Sequence, residues 1–238
     1  MDGQRSVMQE MEDEFAMIRI EDEEQGGLVY ENTNDDLGEI DTRWCLVGCF
    51  LTDSSINFQA MQHKIISLWK PSRGMYVKQL DVNRFIFQFY HELDIKRVVE
   101  GISWTFGRFQ LVFARLQEGD NPRTLPINNL DVWMQLHGMS YGFISQRVVT
   151  DIGNYIGSFI EGDVNNFVGV WREFLRVRVS IALDLPLKCR MKLMKSDNNW
   201  CWVKFRYEGI TTFCFICGMI GHVERFCERL FDTPLDKI

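Results

Sequence analysis

Three cysteines and one histidine near the end of the chain are spaced as C-x2-C-x4-H-x4-C. The four residues are Cys214, Cys217, His222 and Cys227. Three thiolates and one imidazole complete a tetrahedral shell for Zn²⁺, and such a shell is structural because it leaves no coordination position for a catalytic water. Gly218 and Gly221 favour a metal site, since backbone wrapped closely around an ion needs positive φ angles. We expect one Zn²⁺ here, in a segment too short to fold without it.

The alternative interpretation is that these are four unrelated residues in a chain with seven cysteines, among which buried free thiols are common. The cysteines outside the cluster form no second ligand set, and we expect them to be small apolar core residues. They are Cys45, Cys49, Cys189 and Cys201.

The chain has 238 residues, of which 46% are apolar, so it is long enough for one large domain or two small ones beside the metal segment. No apolar run of signal-peptide length follows the first methionine, and no run approaches 18 residues. We therefore expect neither secretion nor a membrane span. The cysteines then indicate an intracellular protein with reduced thiols, in the nucleus or the cytoplasm.

The net charge of −7 is unevenly distributed. Residues 1–41 carry fourteen acidic and two basic residues, whereas residues 42–238 have a net charge of +5. We expect the acidic tail, 1–41, to be mostly disordered, with one short helix permitted around residues 8–18.

Residues 172–206 form the most basic stretch, with nine Lys or Arg against three acidic residues. Clustered cations bind phosphates by displacing condensed counterions, so this stretch predicts a nucleic-acid contact. The alternative is an ordinary solvated strand face. The candidate contacts are Arg176, Arg178, Lys188, Arg190 and Lys192.

The periodicity of residues 42–118 predicts the order β-α-β-β-α-β. The expected elements are a strand at 44–51, a helix capped by 52–55 and ended by Pro71, strands at 74–80 and 84–90, a helix at 92–101 and a strand at 106–116. This α+β order is ferredoxin-like, as in RRM domains, with an antiparallel sheet and both helices on one face. We expect the other face to be free for binding.

Phe85, Phe87 and Phe89 share one face of the fourth element by the strand period. The strand partly resembles the RRM strand whose aromatics stack on RNA. The rings are either such a platform or core, and three large apolar rings in a row favour core. In that case the open face shows Arg84, Ile86, Gln88 and Tyr90.

Two prolines within residues 121–126 mark a linker. After it, a second small α+β unit is expected over 126–208, followed by the zinc-binding segment, or knuckle, over 209–231. The expected elements of the second unit are strands at 132–136, 159–163, 174–183 and 200–207 and a helix at 142–156.

No metalloprotease, Walker A, dinucleotide-binding or nucleophile-elbow motif occurs in the sequence. His63, His91 and His137 have no nucleophile or carboxylate partner that spacing can supply, so we interpret them as structural. The sequence therefore predicts a protein that is not an enzyme.

The string C-F-x-C-G-x-x-G-H-x-x-x-x-C resembles the zinc knuckles of retroviral nucleocapsid proteins and of retrotransposon RNA-binding proteins. The resemblance implies a base-binding cleft formed by Phe215 and Val223, with Arg225 as a phosphate contact. Stacking on an aromatic gives the physical reason, because unpaired bases expose their π-faces. The alternative is that Phe213, Phe215 and Phe226 only cover the metal.

From residue 44 to 227 the chain resembles the plant DUF4283 family, which pairs this domain with a CCHC knuckle in the first open reading frame of LINE-type retrotransposons. The landmarks are Trp44-Cys45-Leu46-Val47-Gly48, Phe85 to Phe89, Trp104-Thr105-Phe106, Val132-Trp133, Arg176-Val177-Arg178-Val179 and Tyr207-Glu208. Membership implies an RRM-like fold and binding to single-stranded RNA or DNA. The rival hypothesis is a protein-interaction or self-assembly module, and a particle-forming protein can be both.

Overall fold

Two antiparallel five-stranded sheets dominate the computed structural model, which describes residues 42–52, 54–101, 103–169, 172–195 and 198–232. The predicted disordered tail and its short helix lie outside these residues. The strands are β1 (Cys45–Phe50), β2 (Met75–Asp81), β3 (Arg84–Phe89), β4 (Thr105–Phe106), β5 (Phe109–Arg115), β6 (Asn129–His137), β7 (Ser158–Gly162), β8 (Phe174–Ala182), β9 (Arg190–Met194) and β10 (Trp200–Tyr207). The α-helices are α1 (Phe58–Trp69), α2 (Glu92–Glu100), α3 (Gln146–Ile156) and α4 (Arg229–Asp232). None of the helices described has both the length and the apolar character needed to span a bilayer.

The first sheet has the strand order β2-β3-β1-β5-β4. The first helix that packs on this sheet, α1, begins later than predicted. Its N-cap is Asn57, whose side chain accepts a hydrogen bond from the amide of Ala60, whereas the prediction placed the cap at 52–55. The helix ends at Trp69, where Lys70 adopts a left-handed φ of 44°. Pro71 follows and cannot continue a helix.

The strand predicted at 106–116 is two strands in the structure. Gly107, with a φ of +62°, turns the chain between β4 and β5, which pair with each other as a short hairpin. An L side chain rarely adopts this φ, so the glycine permits the turn. The strand that pairs with β1 is therefore β5 alone.

The core of the first sheet confirms one of the two interpretations of the phenylalanine strand. Phe85, Phe87 and Phe89 are all buried on the helix side of the sheet. The Trp69 ring of α1 meets the Phe87 ring edge-on, with centroids 5.0 Å apart. The three rings are therefore core and not a platform for bases.

The opposite face of the first sheet is partly covered, and the prediction that it is free was wrong. Cys45 and Val47 of β1 are buried there and pack against Leu125 of the linker and Ile127, just after it. The guanidinium of Arg84 donates to the carbonyls of Pro122 and Leu125, which holds the linker across the sheet. Apolar residues on the second face of β1 cause this covering, because they too must leave water.

The second sheet has the strand order β7-β8-β6-β10-β9. Alternate residues of β6, β8 and β10 form its core, and α3 packs on the β7 and β8 side. This helix begins at Gln146, with Ser145 as the cap, whereas the prediction placed it from 142. A 3-10 turn, Tyr141–Phe143, occupies the difference. The sequence did not predict β9, a short strand at the sheet edge.

The cysteines outside the metal cluster do not all behave as predicted. Cys45 and Cys201 are buried, and Cys49 is partly buried. Cys189 is exposed, so its assignment to the core was wrong. It directly precedes the edge strand β9 and lies outside the core of the second sheet.

Candidate metal centre

The four residues predicted to bind zinc come together in the structure. The three sulfurs and the imidazole nitrogen all lie within 4.8 Å of one another. The Sγ of Cys217 is 3.3 Å from Nε2 of His222. Tetrahedral zinc, with bonds of about 2.3 Å to sulfur and about 2.0–2.1 Å to nitrogen, fits ligand atoms at this spacing.

The local backbone favours a thiolate at Cys214. Burial alone would raise the pKa of Cys214, but the amides of Cys217 and Ile216 donate to its sulfur and lower the pKa below its ordinary value. Burial raises the pKa of Cys217, an effect that the amide of Met219 partly offsets. Amides aimed at sulfur stabilise the deprotonated form that a metal requires. The donor set and its surroundings thus fit a zinc ion.

Two tight turns shape the metal loop. The amide of Gly218 donates to the carbonyl of Cys214, and the amide of Cys214 donates to the carbonyl of Met219, both at 2.9 Å. Gly218 and Gly221 have φ angles of +78° and +105°, as the sequence predicted for a loop around an ion. Ile216 and Met219 pack against the cysteines and cover them. The sequence reasoning did not identify these two residues, although each stands one position from a ligand or glycine.

The metal loop is joined to the second sheet. Ile220 is buried in the core of that sheet. The amide of Leu187, between β8 and β9, donates to the carbonyl of Gly218 at 2.8 Å. A Cβ on Gly218 would lie only 2.9 Å from Cβ of Pro186, so this glycine is also needed for the close approach.

Two protein families match the chain. A family described as "Domain of unknown function (DUF4283)" matches residues 39–123. A family described as "Zinc knuckle" matches residues 181–229. The chain thus carries a DUF4283 domain followed by a zinc knuckle of the CCHC type. No curated protein matches it.

The two matches correspond to different parts of the structure. The DUF4283 match takes in the whole first sheet and ends inside the linker. The knuckle match begins at residue 181, near the end of β8, and therefore includes β9, β10 and the loop that bonds to Gly218. The metal loop and this edge of the second sheet are matched as one stretch.

Phe215 of the zinc knuckle points into solvent. Its side chain is 83% exposed, and its ring meets that of Phe213 edge-on at 5.0 Å. The amide of Phe215 donates to the Glu224 carboxylate at 3.2 Å. The amide of Glu224 itself, and after it this bond from Phe215, lower the pKa of the Glu224 carboxyl. Glu224, which the sequence reasoning missed, fixes the backbone that carries the exposed ring.

The two other predicted knuckle contacts lie on the segment after His222. Val223 is partly buried and precedes a 3-10 turn, Glu224–Phe226. Arg225 is exposed, and its guanidinium lies 4.6 Å from the ring centroid of Phe226. Phe215 and Phe226 are 83% and 66% exposed, and the side chains that pack against the three cysteines are those of Ile216 and Met219 instead.

Two of the predicted phosphate contacts have carboxylate partners. Arg176 pairs with Glu208 at 2.8 Å and with Asp163 at 3.2 Å, and it stacks on the Trp133 ring. Burial alone would lower the pKa of Arg176, but the hydrogen bonds to Glu208 and Asp163 raise it. Its charge is thus balanced within the sheet.

Arg178 is only 4% exposed. Its guanidinium donates to the carbonyl of Val99 at the end of α2 and to Glu161 at 3.2 Å, with Asp131 at 3.8 Å. Arg178 therefore joins the second sheet to helix α2, which packs on the first sheet. A phosphate could reach it only if that contact opened.

The remaining three predicted contacts are exposed. Lys188 donates to the carbonyl of Tyr155 and lies 4.3 Å from its ring centroid. Arg190 and Lys192 project from β9, the edge strand of the second sheet.

Proposed function

We propose that this chain is a non-enzymatic protein that binds single-stranded RNA or DNA through a knuckle holding one Zn²⁺ per chain. The observation that carries the proposal is the 83% exposure of Phe215 beside a buried ligand set. An apolar ring in water costs free energy until a partner covers it. An unpaired base has a flat face that can do so, and stacking contributes about 1–3 kcal/mol per base.

The surroundings of Phe215 supply the other contacts that a nucleotide needs. Val223 gives apolar surface next to a metal ligand, and Arg225 gives an exposed cation two residues further on. Zinc knuckles are among the common modules that bind unpaired RNA bases. Zinc takes no chemical part in this function and serves to hold the shape of the loop.

The first sheet supports a second part of the proposal, namely that the DUF4283 domain is RRM-like. Its order β2-β3-β1-β5, with β4 as an addition at the edge, is that of a β-α-β-β-α-β unit with both helices on one face. The linker covers much of the face that RRM domains use for RNA, so the knuckle carries the main contact here. An origin in a LINE-type retrotransposon follows from the family resemblance and is proposed on that ground alone.

The test measures zinc and nucleic-acid binding on the full chain. We expect one zinc per chain by metal analysis, and loss of that zinc in Cys217→Ser. Fluorescence anisotropy with a short labelled oligouridine, and with oligothymidine of equal length, gives the affinity. We expect Phe215→Ala to weaken binding by about tenfold, since one stacking contact is lost, while zinc content is unchanged.

Phe167→Ala is the matched control, because Phe167 is also exposed but follows β7 at the far edge of the second sheet. It should bind as the wild type does. Zinc binding without any affinity for either oligonucleotide would contradict the proposal. Self-association that ignores Phe215→Ala would then favour the protein-interaction hypothesis.

A further inference from the structure

The outer face of the second sheet carries aromatic and basic side chains along β10. Cys201, Val203 and Phe205 point into the core, so the residues that alternate with them point outward. The outward residues are Trp200, Trp202, Lys204 and Arg206. All four are exposed.

The edge strand β9 adds two cations to this face. Arg190 is paired with Lys204, and Lys192 is paired with Trp202, across the two strands. The guanidinium of Arg190 lies 4.7 Å from the ring centroid of Trp202, and the ammonium of Lys192 lies 4.6 Å from that of Trp200. We call this surface the tryptophan face; it consists of Trp200, Trp202, Arg190, Lys192, Lys204 and Arg206.

The tryptophan face carries four cations, namely Arg190, Lys192, Lys204 and Arg206. Among the described residues, none of its four cations has a carboxylate within ion-pairing distance. The nearby acids Glu208 and Asp163 are paired with Arg176. Glu173 lies near His137, whose pKa is lowered by burial and by Arg206 and raised in part by Glu173. The face therefore attracts an anionic partner.

The two indole rings indicate the chemical class of that anionic partner. Trp200 is 51% exposed and Trp202 is 42% exposed, although a cation lies against each ring. The two residues are separated by one position, which places them about 6.6 Å apart along the strand. Flat apolar rings between cations match a ligand that alternates flat rings with phosphates. In a duplex the faces of the bases are stacked on each other, so an unpaired strand fits better.

We propose that the tryptophan face is a second binding surface for single-stranded nucleic acid, with bases stacked on Trp200 and Trp202 and phosphates held by Arg190, Lys192, Lys204 and Arg206. The inference rests on the proposed function for the class of ligand, but it uses residues that lie outside the knuckle. Two short surfaces on one chain strengthen binding to a strand long enough to reach both, because the second contact becomes intramolecular.

The test uses the zinc-loaded full chain and the same labelled oligouridine and oligothymidine. We expect Trp202→Leu to weaken binding by about tenfold, since it removes one stacking platform from an exposed position. We expect Arg190→Gln/Lys192→Gln to weaken binding and to reduce the slope of log affinity against log salt by about 1.4, for two phosphate contacts on a single strand. A lower slope distinguishes lost phosphate contacts from a general loss of fold.

The matched control is Lys96→Gln/Arg147→Gln, which removes the same charge from exposed positions on α2 and α3. It should leave the salt slope unchanged. If the tryptophan-face variants bind like this control while Phe215→Ala binds weakly, the inference is overturned and the proposed function stands. If they bind weakly while Phe215→Ala binds normally, the inference stands and the knuckle contact fails. No binding by the wild type overturns both.

Discussion

The amide of Leu187 donates to the carbonyl of Gly218 at 2.8 Å, so the loop between β8 and β9 is hydrogen-bonded to the metal loop. Ile220, two residues after Gly218, is buried in the core of the second sheet. The segment between Cys217 and His222 thus anchors the knuckle to that sheet, and the knuckle is not a free appendage. Loss of zinc should therefore lower the stability of the second sheet.

Removal of zinc by chelation or by Cys217→Ser should unfold the metal loop and release Ile220 from the core. Burial of such a side chain contributes about 1.5–3 kcal/mol, so the second sheet should lose roughly that much stability. Hydrogen exchange measures the effect. The amide of Leu187 should exchange faster, while that of Val47 in the first sheet should stay protected. Cys189→Ser, at an exposed cysteine outside the cluster, is the control and should change neither.

Gly218→Ala should impair zinc binding. The residue has a φ of +78°, and its new Cβ would meet Pro186 at 2.9 Å. Left-handed backbone alone costs an L residue about 1–2 kcal/mol, and the steric conflict adds to that. Competition with a chromophoric chelator should give a zinc affinity at least tenfold lower. Gly119→Ala is the control, because Gly119 has a similar φ of +84° but lies outside the metal loop with open space around it, and it should leave zinc affinity unchanged. An unchanged zinc affinity in Gly218→Ala, or an equal loss in the control, would contradict the prediction.

Phe87→Ala should destabilise the DUF4283 domain by about 3–5 kcal/mol, because the ring is fully buried against Trp69. Tyr76→Ala, at an exposed position on the other face of the same sheet, should change stability by less than about 0.5 kcal/mol. Urea denaturation measures both. Similar losses in the two variants would mean that the helix side of the sheet is not its main core.

The pairing of Arg176 with Glu208 should make stability dependent on acid pH. Burial alone would raise the pKa of Glu208, but hydrogen bonds from Arg176 and Gln135 bring it below its ordinary value of 4.5. The folded state therefore takes up this proton less readily than the unfolded state. The stabilisation is present above pH 4.5 and is lost as the pH falls through the lower folded pKa.

Glu208→Gln should accordingly cost about 1–3 kcal/mol at neutral pH, and the difference from the wild type should shrink in acid. Urea denaturation at several pH values measures this. Glu92→Gln breaks the exposed pair with Arg115, which contributes at most about 1 kcal/mol, and serves as the control. A Glu208→Gln deficit that stays constant down to pH 3, well below about 4.5, would contradict the ionic origin of the effect.

The features that were predicted correctly from the sequence are determined by residues that lie close together along the chain. The metal ligands lie within fourteen residues, and no long-range packing is needed to bring them together. The α1 helix and the hairpin of β2 and β3 follow from local periodicity and from Pro71. The matches to the two families were predictable for the same reason, because their landmarks are local strings.

The features that were missed depend on contacts between distant segments. Arg178 alternates with buried valines like an outward residue, and only the fold brings Val99, Glu161 and Asp131 around it. The strand β9 has no β-branched residue, so its propensity is weak, and pairing with β10 determines it. The covered face of the first sheet likewise depends on a linker that is distant in sequence from β1.

The linker affects how a fragment containing only the first sheet should behave in solution. The DUF4283 match ends at residue 123, before Leu125 and Ile127, which shield Val47 and Cys45. A fragment ended at that boundary would expose the apolar side of β1 and should aggregate when expressed. The smallest fragment that stays monodisperse should extend past Ile127. The domain outlined by sequence similarity thus ends before two residues that complete the burial of β1.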